Sequence, residues 1–116
     1  MTNPTVTRLE IKRGDSLALD CQALADDGVT PIDITGWTLR SQIRNARDGL
    51  LAELSVTLTT PAEGRYSLTA ALGATATWSP GSAEMDIEYE DPAGLVQSTE
   101  TVPVLILRDV TRVVTP

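Results

Sequence analysis

Histidine and phenylalanine are missing from the sequence, cysteine occurs once, and lysine occurs once, as Lys12. Without histidine there is no Ser-His-Asp or Cys-His apparatus, no imidazole metal ligand and no imidazole switch near neutral pH. Most hydrolase chemistry is excluded on that ground. The lone Cys21 can form no internal disulfide, so stability has to come from the core, as in a protein made in a reducing compartment. Aromatic residues make up only 3% of the chain, which disfavours sugar binding on exposed rings, and only Trp78 reads as exposed and free for such a platform. No apolar run approaches the roughly 20 residues of a membrane helix. Met1 to Glu10 also lacks a basic stretch followed by an apolar one, so neither a standard leader nor a membrane anchor is expected.

What is present is an ordinary globular balance, 41% hydrophobic and 22% charged over 116 residues, enough for one core and too little for two. A single domain over residues 1–116 is expected, with 1–6 and 110–116 as tails, flexible or ordered by a partner. The formal charge of −7 argues against nucleic acid, whose phosphates reward basic surfaces. One motif is a decoy. Gly14-Asp15-Ser16-Leu17 spells the signature of the GDSL esterases, but a serine with no histidine base cannot be activated. No enzyme is expected, and no catalytic residue, cofactor or metal ligand is assigned.

Period-2 alternation dominates, punctuated by turn residues every eight to twelve positions. Leu9 and Ile11 share a face before the Arg13-Gly14-Asp15 turn. Leu17, Leu19 and Cys21 follow, and Asp27-Gly28 and Asp48-Gly49 carry hairpin chemistry. Trp37, Leu39, Ser41 and Ile43 line one face of a strand whose other face holds Thr38, Arg40, Gln42 and Arg44. Leu50, Ala52, Leu54, Val56 and Leu58 form the longest comb, and Tyr66 and Leu68 lie on the next strand. Ala71 to Trp78 loses the alternation and reads as a helical turn. Met85, Ile87 and Tyr89 point inward on a strand after it. Leu95 to Leu107 is interrupted by Pro103, which signals an edge, a bulge or a break.

These segments predict an all-β, immunoglobulin-like antiparallel sandwich of seven or eight strands with at most one short helical turn. In such sandwiches a tryptophan on strand C packs against a disulfide between strands B and F. Here Cys21 falls on B and Trp37 on C, and Met85, Ile87 or Tyr89 stands where the second cysteine would be. Apolar packing around Trp37 is the expected substitute, with Trp37→Ala costing about 3 to 5 kcal/mol.

The sharpest polar feature is the ladder Glu84, Asp86, Glu88 and Glu90, four carboxylates at alternate positions of one strand. As glycosidase acids they have suitable spacing but no cleft, and as a calcium site they would need oxygen ligands converging from a second segment, Asp91 or the Asp26-Asp27 turn, with no EF-hand spacing to supply them. The plainer reading is a solvated sheet face with cross-strand ion pairs to Arg40 and Arg44. That face, together with Val113 and Val114 near the C-terminus, is the candidate partner interface, since exposed strand edges are also templates for added strands.

The ordered set Ile11-Lys12-Arg13-Gly14-Asp15, Pro31-Ile32-Asp33-Ile34-Thr35-Gly36-Trp37, Gln42-Ile43-Arg44, Gly64-Arg65-Tyr66-Ser67-Leu68 and Met85-Asp86-Ile87-Glu88-Tyr89 resembles small structural proteins of tailed phages and prophages. In particular it is similar to the immunoglobulin-like N-terminal domain of phage baseplate upper proteins. The resemblance implies a virion module made in the host cytoplasm, assembled as a homo-oligomer with other virion proteins of the tail, baseplate or fibre-attachment region, with no catalytic residues. A capsid decoration protein is the alternative within the particle. A calcium-assisted carbohydrate-binding module is the alternative of another class.

Overall fold

The computed structural model describes residues 8–99 and 101–111. Eight strands follow in chain order: β1 (Leu9–Lys12), β2 (Ala18–Gln22), β3 (Thr38–Asn45), β4 (Leu50–Thr60), β5 (Arg65–Thr69), β6 (Gly81–Glu90), β7 (Val96–Ser98) and β8 (Val102–Leu107). They join in the order β1-β8-β6-β3-β4-β5-β2, with β7 beside β6. All pairs are antiparallel except β1 with β8. The fold is the immunoglobulin-like all-β sandwich expected.

Strand β4 makes the two layers. Its first half pairs with β3 and its second half with β5, so one long strand passes from one sheet to the other. Register shifts fall between Ile43 and Arg44 and between Leu58 and Thr60. Bulges of this kind add local twist, and twist is what curls a single ribbon into facing layers. The comb read from the sequence bends accordingly: Leu54 is buried, while Leu50, beyond the first irregularity, is 51% exposed.

Turn chemistry follows local rules. In the β3–β4 hairpin Asp48 takes the positive φ, 64°, and the Asn45 side chain accepts hydrogen bonds from the Arg47 and Gly49 amides. The alanine-rich stretch before Trp78 contains a 3-10 turn, Ala74–Thr77, and Pro61–Glu63 forms another. Gly64 caps the latter at φ 74°, and a Cβ there would lie 2.6 Å from the Ala23 carbonyl oxygen and 2.7 Å from that of Ile32. Glycine is therefore required by both conformation and space.

Both tryptophans depart from the expectation. Trp37 lies just ahead of β3 and is only partly buried, whereas Trp78 is 2% exposed and belongs to the core. The alternation assigned Trp37 the right face, but the end of the sheet covers it incompletely. Trp78 is drawn inward by the turn that precedes it, a tertiary effect that no strand period records. Its Nε1 has no hydrogen-bond partner among the described residues.

The missing disulfide is also replaced differently from the expectation of apolar packing around Trp37. Cys21 on β2 lies directly across from Tyr66 on β5. The Tyr66 hydroxyl pairs with the hydroxyl of Tyr89 on β6, in the opposite layer. The two rings meet edge to face, centroids 5.9 Å apart, and Tyr89 meets Trp37 in the same way at 6.5 Å. A polar chain inside an apolar core thus ties the layers together. Burial pushes the Cys21 thiol up to about 11 and the Tyr89 phenol up to about 12, and raises Tyr66 as well. All three stay protonated near neutrality, so Cys21 acts as a structural thiol and not as a nucleophile.

Candidate assembly interface

The acidic ladder is built by β6 on the outer face of the larger sheet. Met85, Ile87 and Tyr89 are buried, so the pleat turns Glu84, Asp86, Glu88 and Glu90 outward. Across β3, Glu84 faces Arg44, Asp86 faces Gln42, and Glu88 faces Arg40. Arg40 forms the expected ion pairs: its Nε donates to Glu88 at 2.8 Å and its terminal nitrogen to Glu90 at 2.9 Å. All three side chains are more than a third exposed, so water screens the attraction.

The second expected ion pair is not made. Arg44 donates instead to the Asp48 carbonyl at 3.0 Å and to the Gln42 side chain at 2.9 Å. The tight β3–β4 hairpin brings these acceptors to the guanidinium, and Glu84 loses the competition. Glu84 and Asp86 consequently have no ion-pair partner among the described residues, nor does Glu53, which β4 places beside Gln42. Shallow hollows of about 300 and 170 Å³ run along this face. No group of three His, Cys, Asp or Glu side chains among the described residues is placed to hold a metal ion.

Val113 and Val114 lie outside the described residues. The tail expected at residues 1–6 and most of that at 110–116 do so too; Val110, which is described, is 71% exposed. The GDSL serine sits on the exposed β1–β2 turn. That turn is pinned by Arg13, which donates to the Ala76 carbonyl, and by Thr75, which donates to the Asp15 carbonyl.

One feature of the surface was not read from the sequence. The segment from Leu95 onward divides before Pro103, giving the short β7 and then β8, which pair with successive parts of β6. Leu95 and Val96 are 72% and 54% exposed there. They border a hollow of about 340 Å³ together with Trp37, Tyr89, Asp91 and Gln97. The polar run Gln97-Ser98-Thr99 after two apolar residues is the signal that marks the break: the Thr99 side chain accepts from the Ile87 amide and ends the short strand.

Fold and surface together define the chain as an immunoglobulin-like β-sandwich with an acidic outer sheet and an apolar hollow at one end. Neither family models nor curated proteins match it in sequence. Solved structures match in fold. The N-terminal domain of phage TP901-1 ORF48 is 18% identical with a TM-score of 0.64, covering 92% of this chain and 90% of that one. CopC from Methylosinus trichosporium OB3b is 7% identical with a TM-score of 0.57, at the same coverages of 92% and 90%. The fibronectin(III)-like modules of Clostridium thermocellum CbhA are 14% identical with a TM-score of 0.51, covering 97% and 100%. The phage resemblance read from short motifs therefore holds at the level of fold. Among the described residues no helix is long and apolar enough to cross a membrane.

Proposed function

We propose that this chain is a non-enzymatic structural module of a phage particle, joining components of the tail, baseplate or fibre-attachment region as a homo-oligomer. The observation that carries this reading is the near full-length match in fold to the N-terminal domain of a phage protein. The surface supports it: Glu84, Asp86 and Glu53 form an acidic face with no ion-pair partners among the described residues, suited to a basic protein partner. Capsid decoration is the alternative within the particle. A calcium-assisted carbohydrate-binding module, the reading of another class, would draw on the acidic clusters and the Trp37 hollow.

Gold-labelled antibody against the protein, applied to purified particles from a host carrying the gene, tests the proposal. Label at the tail tip or baseplate is the expected result, label over the head favours decoration, and absence from particles overturns the virion reading. Light scattering after size exclusion reports the oligomeric state. A calorimetric titration with calcium that reveals a micromolar site would favour the carbohydrate-binding reading.

A further inference from the structure

Among the described residues, the backbone of β7 has one side bonded and one side open. Asp91 donates to the Leu95 carbonyl at 3.0 Å, and Thr99 donates to the Ile87 carbonyl at 2.9 Å. In an antiparallel ladder successive residues turn their N–H and C=O to opposite sides. Leu95, Gln97 and Thr99 thus face β6, and Val96 and Ser98 direct their backbone groups away from it. No strand covers that side among the described residues. Register then sorts the side chains: Val96 and Ser98 stand opposite Glu90 and Glu88 on the acidic face, while Gln97 stands opposite Tyr89 on the side of the Trp37 hollow.

We propose that the open edge of β7 is a docking edge for an extended segment of a partner protein in which basic residues alternate with apolar ones. This rests on the assembly reading and narrows it to one edge and one partner chemistry. A strand added beside Val96 and Ser98 places its alternate side chains on the outer face, where carboxylates outnumber guanidiniums, and the intervening ones toward Trp37 and Leu95. Charge complementarity selects the occupant. At this edge a second copy would set its own Glu88 and Glu90 beside those of the first and is disfavoured by local repulsion, so contacts between copies fall on other surfaces. The other open edges fit less well: β2 presents Asp20 and β1 presents Glu10, with no exposed large apolar residue on either strand. Charged residues of this kind guard an edge, whereas β7 offers Val96 with Leu95 just ahead of it.

The probe is an end-blocked heptapeptide of alternating lysine and valine, titrated into the full ¹⁵N-labelled chain. Saturable shifts of the Val96, Gln97 and Ser98 amides are expected, with binding at least about tenfold weaker for a peptide carrying glutamate in place of lysine. Ser98→Pro removes an outward N–H without touching the β6 ladder and is expected to weaken binding to a similar extent. Val96→Lys is the second variant, keeping the backbone intact and repelling the lysines. Absence of saturable shifts overturns the proposal. So do shifts confined to Gln42, Glu53 and Asp86 that neither variant alters, which would assign binding to the acidic face. Binding seen only after removal of residues 1–7 would give the edge to the chain's own N-terminal segment and would equally overturn it. Particle labelling is an independent readout, so failure of this edge and failure of the assembly reading are distinguishable.

Discussion

The two tryptophans occupy contrasting ends of the sandwich. Trp78 follows a 3-10 turn, lies on no strand and is almost wholly buried. Trp37 leads directly into β3 on the inward face, yet remains partly exposed beside the short β7 and its apolar residues Leu95 and Val96. Periodicity states which way a side chain points. Burial also needs a neighbour long enough to cover it, and β7 with three residues is too short. One end is therefore sealed as core, and the other is left open as surface.

Five measurements break or sharpen this contrast, beginning with the largest effect. Trp78→Ala is expected to cost about 3 to 5 kcal/mol, and Trp37→Ala only about 1 to 2, since only part of the Trp37 ring is removed from water. Urea unfolding compares them, and equal losses would dissolve the distinction. Fluorescence adds a direct view: Trp37→Phe should leave blue emission from Trp78, and Trp78→Phe red-shifted emission from Trp37.

Next comes Gly64→Ala, which forces a side chain into positive φ and against two carbonyls. A loss of at least about 2 kcal/mol is expected in the same denaturation experiment. Little change would mean that the Pro61–Gly64 corner shifts freely. Tyr66→Phe, smaller again, should cost about 1 to 2 kcal/mol, because the Tyr89 hydroxyl loses a buried partner. An unchanged midpoint would show that the polar chain does not help to join the layers.

The smallest expected effect near neutrality is that of pH itself. Cys21 and Tyr89 are raised from 9.0 and 10.0 to about 11 and about 12. Their neutral forms are favoured by the fold, so the native state holds more protons than the unfolded state once pH exceeds the unfolded values. Stability should be unaffected by these groups below pH 9 and fall as pH rises toward 12. Thermal melts across that range test the sign, and Cys21→Ala should flatten the early part of the decline.

Much of the fold was legible because alternation is a local property. Leu39, Ser41 and Ile43, and likewise Met85, Ile87 and Tyr89, are buried as their spacing indicates, and the outward carboxylates follow from the same pleat. The ion pairing of that face was only half legible. Arg40 bridges Glu88 and Glu90, but Arg44 is captured by its own hairpin, an outcome set by turn geometry and not by residue type. The docking edge was not legible, since it depends on where β7 stops and on which backbone groups then face outward.

The sequence by itself determined the class of the protein and its exclusions. No histidine means no imidazole chemistry, one cysteine means no internal disulfide, and period-2 alternation means sheet, because each follows from residue type or nearest neighbours alone. Tertiary structure decided what replaced the absent disulfide. Only the packing of β2, β5 and β6 brings Cys21, Tyr66 and Tyr89 together across the layers, and only the short reach of β7 leaves Trp37 open while Trp78 is sealed. These outcomes depend on contacts between residues far apart in the chain, and a local pattern carries no record of them.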